Sequence, residues 1–260
     1  VFRRFLVWRG RIKLLISIIM TQIISDLNPE QREAVETTEG PVLIIAGAGS
    51  GKTKALTHRV AYLNREKNVS PYNILAVTFT NKAAQEMKER IEKLLRSEDG
   101  REERNFSMPI VVTFHAICVR ILRREIEKIG YKKSFVILDE DDQLALIKRI
   151  MKDLSVPVDQ FKPQAIRGTI SKAKNELTSA SAFTVLIDGY YEEIVSKIYN
   201  EYQKRLKDQG ALDFDDILML TIDIFKQFPE VLEKYQTMFR YIMVDEYQDT
   251  NHAQYVLVSL

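Results

Sequence analysis

At 260 residues with 45% apolar side chains, the chain can build a substantial core in one large or two smaller domains, which excludes a disordered or fibrous protein. Its one cysteine, Cys118, cannot form an internal disulfide, which fits a reducing cytosol, and His58, His115 and His252 form no local ligand cluster. The net charge of +2 includes five basic residues in positions 1–19 (Arg3, Arg4, Arg9, Arg11 and Lys13) with no acid among them; without these the remainder carries −3, so bulk charge gives no argument for a nucleic-acid partner.

Residues 1–19 resemble a secretory leader, with basic residues ahead of the apolar run from Leu14 to Met20. No small-residue cleavage site follows, and the run is too short to cross a bilayer. The expectation is an upstream extension outside the natural fold, with Met20 as the natural start and no membrane partner.

Asn28-Pro29-Glu30-Gln31 predicts a helix start, with Asn28 as the cap and Pro29 in the first turn. Gln31 then has two readings. It occupies the third helical position, where a glutamine closes a capping box, and its amide also has the donors and acceptors needed to read an adenine edge. The run Pro41 to Ala46 predicts a buried strand feeding the glycine-rich turn Gly47-Ala48-Gly49-Ser50-Gly51 and then Lys52-Thr53 at a helix start. Residues without a Cβ let backbone N–H groups wrap phosphate oxygens, and a helix N-terminus directs free donors at them. Lys52 supplies a point charge for the outer phosphates, and the Thr53 hydroxyl is a magnesium ligand at the required spacing. Ala46 departs from the general phosphate-loop pattern, which has glycine there, but the strand, loop and helix context is complete.

Further short strands are expected at Ile74–Thr78, Ile110–Thr113 and Tyr241–Val244, with a lesser one at Phe135–Leu138. Apolar strands separated by helices argue for a parallel sheet, whose ligands bind at the carboxyl ends of its strands. Those ends carry Phe79-Thr80-Asn81, Phe114-His115 and Asp245-Glu246. Phe79 and Phe114 are either core aromatics or stacking surfaces for an unpaired base, with Thr80, Asn81 and His115 beside them for phosphates. From His115 to about Leu212 the pattern is helix after helix. Arg120, Arg123, Arg124 and Lys128, with Lys172 and Lys174, either grip a phosphate backbone or form solvated helix faces. The acidic run Asp213-Phe214-Asp215-Asp216 reads as a capped helix start. Asp245 is placed to hold magnesium, and Glu246 to orient and deprotonate the water that attacks a γ-phosphate.

Taken together, Leu27–Val35, Ala46–Thr53, Val77–Ala84, Thr113–His115, Leu212–Asp216 and Val244–Thr250 resemble the UvrD/Rep/PcrA family of superfamily 1 DNA helicases, in the same order and from Leu27 to Leu260. The resemblance implies an α/β, RecA-like, parallel-sheet phosphate-loop NTPase domain with an inserted helical domain, using ATP and Mg2+. It implies a first domain of residues 20–113 plus 213–260 and an insertion of residues 114–212. Ala46, Gly47, Ala48, Gly49, Ser50, Gly51, Lys52 and Thr53 would bind the nucleotide with Gln31 on the adenine. Lys52 and Glu246 would be catalytic, Thr53 and Asp245 would hold the metal, and Phe79, Thr80, Asn81 and His115 would touch single-stranded DNA. The implied activity is 3′-to-5′ ATP-dependent translocation and unwinding in repair and replication, in the cytoplasm. Single-stranded DNA and single/double-strand junctions would be the partners, alongside repair or replication proteins. Lys54 and Ala116 stand where arginine and serine are frequent in the family. A second motor domain with its arginine fingers is expected beyond Leu260, leaving residues 20–260 nearly inactive alone.

A GTPase is disfavoured because the Asn81-Lys82 pair continues into Ala83-Ala84 and not into a base-reading aspartate. A helicase subunit of a nuclease-coupled recombination complex, and an ATP- and DNA-binding module without unwinding activity, are the other readings.

Overall fold

The computed structural model describes residues 23–47, 49–96 and 107–260, so the expected extension at residues 1–19 lies outside the described residues. The chain divides into two compact units: residues 1–113 with 236–247, and residues 114–235 with 248–260. The first break falls between Thr113 and Phe114. On the carboxyl side the helices of residues 213–235 pack with the helical unit, whereas the sequence suggested they would go with the sheet.

The first unit holds a three-stranded parallel sheet of β1 (Ile74–Thr78), β2 (Ile110–Thr113) and β5 (Tyr241–Val244), in the order β2-β1-β5. Leu75 pairs with Ile110 on one side and Ile242 on the other, and β1, the central strand, is buried throughout. Around it lie α1 (Pro29–Glu36), α2 (Lys52–Arg65) and α3 (Asn81–Leu95). Val60 and Leu63 of α2 and Met87, Ile91 and Leu95 of α3 share one core with Ile74, Ala76 and Met243 of the sheet. These residues recur at helical spacing, the amphipathic signature of helices covering a sheet.

The expected strand at Pro41–Ala46 is not formed. The segment joins no ladder of this sheet, and Leu43 and Ile45 are 68% and 88% exposed. A continuous apolar run marks a segment fit for burial, but a strand also needs a hydrogen-bonding neighbour, and the run carries no information about which one.

The second unit is mainly helical: α4 (Phe114–Glu125), α5 (Glu140–Asp153), α6 (Pro163–Asn175), α7 (Ala180–Val185), α8 (Tyr190–Gln209), α9 (Phe214–Gln227), the first turns of α10 (Pro229–Met238), and α11 (His252–Ser259). A two-residue parallel pairing joins β3 (Val136–Ile137) to β4 (Ala211–Leu212). Ile147, Ile150 and Met151 of α5, Ile166 and Ile170 of α6, and Val195, Ile198 and Tyr202 of α8 form one core of this unit. Among the described residues no helix is long and apolar enough to cross a membrane.

Candidate nucleotide and nucleic-acid sites

Helix α1 starts as expected: the Gln31 backbone N–H donates to Asn28 Oδ1 at 2.8 Å, and Asn28 N–H donates to Gln31 Oε1 at 3.3 Å. The same Gln31 amide donates through Nε2 to the Ser50 carbonyl at 2.8 Å. Its acceptor side caps the helix while its donor side braces the glycine-rich turn, so the residue is shared between two jobs. Lys54 of α2 donates to the Asp26 carbonyl at 2.5 Å and Arg59 to the Ala34 carbonyl at 2.6 Å, holding the start of α1 against α2.

Within the turn, Ser50 Oγ donates to the Gly47 carbonyl at 2.7 Å, and Gly51 caps α2 with φ +87°. A Cβ on Gly51 would stand 2.6 Å from Gln31 Nε2, so this position needs glycine for both its conformation and its neighbour. Ala48 lies outside the described residues. Lys52 opens α2 and its Nζ donates to the Ala46 carbonyl at 3.3 Å, which folds the ammonium back over the turn.

Strand β5 delivers the acidic pair. Asp245 N–H donates to the Val77 carbonyl at 3.0 Å, extending the strand's register and fixing the residue at the sheet edge. Its carboxylate lies in hydrogen-bonding range of Thr53, with Oγ1 3.5 Å from each oxygen. Burial, together with the charge of Glu246, pushes the Asp245 carboxyl above the usual carboxylate range. Glu246 follows with φ +51°, a left-handed conformation that costs a non-glycine residue energy and turns the chain sharply between the two acids. One hydroxyl and one buried carboxylate whose negative charge is poorly compensated suit a small hard cation. Among the described residues no three His, Cys, Asp or Glu side chains cluster as a metal site, so such a cation would draw its other ligands from phosphate and water.

At the end of β1, Phe79 is half-buried and Thr80 and Asn81 are exposed. The Thr80 hydroxyl accepts from Ala83 N–H at 3.1 Å as the cap of α3, so its oxygen is committed to the helix start. Phe79, Thr80 and Asn81 belong to the sheet unit and His115 to the helical one. Phe114 is 1% exposed and is a core aromatic, which removes it as a stacking surface. His115, next to it, stacks on Phe214 with ring centroids 3.8 Å apart. Burial pushes the His115 imidazole down to about 4, so it is neutral at physiological pH and offers a hydrogen bond and a ring face without a charge for phosphate. Phe214 is 54% exposed despite lying in the first turn of α9. In the sequence Phe214 stands out only as a large aromatic set among the three acids of a helix start.

The basic residues fare unevenly. Arg123 lies 3.8 Å over the Phe135 ring and donates to the Lys133 carbonyl, and Lys128 pairs with Glu230 at 2.9 Å. Lys174 neither grips phosphate nor lies on a solvated face: it is fully buried, with Nζ 2.6 Å from Asp213 Oδ2 and 2.8 Å from Asp216 Oδ1. Tyr202 donates to Asp213 at 3.1 Å and Gln203 to Asp216 at 3.0 Å. Asp213 and Asp216 also cap α9 reciprocally, so the acidic run is a helix start neutralised by a buried lysine. Burial opposes the charge on Lys174, but the two carboxylates outweigh it and hold its pKa above the ordinary lysine value. The signal was present in the periodicity: Lys174 follows Ile166 and Ile170 on the apolar stripe of α6.

Residues 27–260 match the UvrD/REP helicase N-terminal domain. The chain is 56% identical over 241 residues to the ATP-dependent DNA helicase PcrA of Bacillus subtilis (strain 168), and 51% identical over 241 residues to the PcrA proteins of Staphylococcus aureus (strain Mu50 / ATCC 700699) and Staphylococcus epidermidis. Each alignment covers 93% of this chain and 32% of the relative, so the chain spans about a third of the length of the curated relatives it matches.

Proposed function

The chain belongs to the UvrD/REP helicase N-terminal domain family, and on that premise we propose that it is the ATP-binding part of an ATP-dependent DNA helicase. The protein would move 3′ to 5′ along single-stranded DNA and open single/double-strand junctions during repair and replication in the cytoplasm. The helices of residues 114–212 would form the insertion within the RecA-like domain. The observation that carries the ATP site is the convergence of Thr53 and Asp245 beside the glycine-rich turn, from opposite ends of the sequence.

Gly47, Gly49, Ser50 and Gly51 present the turn to the phosphates, and Ala46 and Ala48 belong to the same nucleotide-binding run of the sequence. Lys52 exchanges the Ala46 carbonyl for phosphate oxygens, a weaker partner for a stronger one. Thr53 and Asp245 are the side chains that would hold Mg2+, which when bound neutralises charge on the phosphates. Glu246, set apart from Asp245 by its left-handed backbone, orients the attacking water and accepts its proton. Gln31, one amide hydrogen bonded to the turn, reads adenine with its remaining capacity and so reports base identity to the phosphate site.

On the DNA side, Phe79, Thr80 and Asn81 meet the strand at the end of β1. The stacked pair His115 and Phe214 presents an exposed aromatic face to a base. ATPase assays of the complete protein with and without single-stranded DNA, and unwinding of duplexes with a 3′ or a 5′ tail, test the proposal. DNA-stimulated hydrolysis lost in Lys52→Ala and unwinding from the 3′ tail are expected. No stimulation by DNA refutes the helicase reading, and preference for the 5′ tail refutes the direction.

A further inference from the structure

Lys174, in the last turn of α6, is the hub of the buried polar contacts at the start of α9. Its Nζ donates to Asp213 Oδ2 at 2.6 Å and to Asp216 Oδ1 at 2.8 Å, and Tyr202 and Gln203 of α8 donate to the same two carboxylates. Between these anchored residues stand Phe214 and Asp215, and Asp215 is held by Ser171 and Asn175 of α6. Phe214 leaves the turn exposed, its ring stacked on His115 of α4, and all of these residues belong to the helical unit. The cap of α9 needs no lysine, because Asp213 and Asp216 close it on the backbone N–H groups. Replacing a buried ionic cluster by uncharged groups is often neutral for stability or favourable. What directional hydrogen bonds supply, and aliphatic contact does not, is a fixed orientation of the element they hold.

We infer that Lys174 is a positioning residue for strand binding: by clamping Asp213 and Asp216 it fixes the first turn of α9 in the orientation that presents Phe214, stacked on His115, to a base. The inference rests on the DNA reading of that aromatic pair and deepens it. Phe214 is the first residue of α9, one position after Asp213 and two before Asp216, so the backbone that aims its ring is the backbone that the lysine holds. The two rings lie 25° from parallel, and aromatic contacts of this kind depend on angle as well as distance. A turn freed from Lys174 tilts Phe214 off His115 and spoils the shared face without unfolding the helix, whose cap and apolar side remain. Lys174 itself touches no phosphate, since it is fully buried and paired with two carboxylates. Its effect on the strand therefore carries no electrostatic share, which separates it from a phosphate-gripping lysine.

The test is binding of single-stranded oligodeoxythymidylate, carrying one 2-aminopurine at successive positions, to the complete protein over a range of salt. The variants are Phe214→Ala, the triple Lys174→Met with Asp213→Asn and Asp216→Asn, and the two combined, all held well below their thermal midpoints. Asp216→Asn alone, which keeps the cap and leaves Lys174 paired with Asp213, is a milder second probe of the same clamp. Phe214→Ala is expected to weaken binding roughly 5- to 150-fold and to remove the 2-aminopurine quench at one position. The triple variant should weaken it roughly 2- to 150-fold with the same loss of quench, Asp216→Asn should do so less, and neither should weaken it further once Phe214 is alanine. The slope of affinity against salt stays that of wild type, whereas loss of a phosphate contact would reduce it by about 1. Triple and Asp216→Asn variants that bind as wild type, that weaken binding equally with and without Phe214, or that lower the salt slope overturn the positioning role. Wild-type affinity in Phe214→Ala refutes the DNA reading of the aromatic pair itself, and the positioning role with it.

Discussion

Thr53 Oγ1 lies 3.5 Å from both carboxylate oxygens of Asp245, although 192 positions separate the two residues in the chain. The glycine-rich turn and the end of β5 therefore meet at one point, where a hydroxyl and a carboxylate share a target. Asp245→Asn preserves the shape and removes the charge. In the complete protein it is expected to lower ATP turnover by about 10²-fold or more. In metal-free buffer the same variant should melt higher than wild type, because burial and the nearby Glu246 disfavour the charged carboxylate. Steady-state ATPase and calorimetry check the two halves; unchanged turnover would remove Asp245 from the site.

Gly49 and Gly51 both have left-handed backbone, but only Gly51 is also crowded, by Gln31. Replacing Gly49 by alanine should cost about 1–2 kcal/mol from conformation alone. Gly51→Ala should cost more, since its Cβ must displace an amide held at both ends. Combining it with Gln31→Ala should return part of the loss, leaving the conformational share. Denaturant melts of these three variants, with Gln31→Ala alone as the reference, separate the terms, and equal costs at the two glycines would contradict the contact.

Lys174 and its two aspartates form a buried ionic cluster, in which removing one partner strands the others. Lys174→Met should destabilise by about 3–5 kcal/mol, whereas Lys174→Met with Asp213→Asn and Asp216→Asn should recover most of that, because asparagine still caps α9. Equilibrium unfolding of single and triple variants decides; a triple variant as unstable as the single one would mean that the charges stabilise the fold outright.

The pH response follows from His115. Its imidazole titrates near 6.5 when unfolded and near 4 when folded, so the folded state binds this proton later. Its contribution is fully present above pH 6.5 and is lost as pH falls toward 4. With allowance for partial exposure, that amounts to about 1–3 kcal/mol. His58, also lowered by burial, adds to the same slope. Replacing His115 by asparagine should flatten the dependence of stability on pH between 6.5 and 4 without abolishing it; an unaltered slope would show that His115 is not buried as described.

The parts of the site that were legible in the sequence are those set by local chemistry. Asn28 and Asp213 announce their helices because a cap needs only the next three residues. The glycine-rich turn and the acids after β5 stand out for a similar reason: each is a short run whose spacing along the chain is visible without the fold. What escaped depends on partners remote in sequence. Lys174 looks like any surface lysine until Asp213 and Asp216 arrive from another helix, and the Pro41–Ala46 run looks like a strand whether or not a neighbour pairs with it. Gln31 had two readings, cap and adenine reader; the structure shows the cap and adds a contact to the Ser50 carbonyl, a partner remote in sequence that the local pattern does not announce.

The pairing of β1 with β5 sets a timetable for the newborn chain. Ile74 finds Tyr241 only after residues 114–235 of the helical unit have been made, so β1 spends that interval with one flank open while β2 is already available for the other. Local helix contacts form quickly and long-range strand pairing slowly. Residues 114–235 are therefore expected to be compact before the sheet is complete, and Asp245 and Glu246, which follow the last strand to dock, are the final residues of the proposed nucleotide site to be placed.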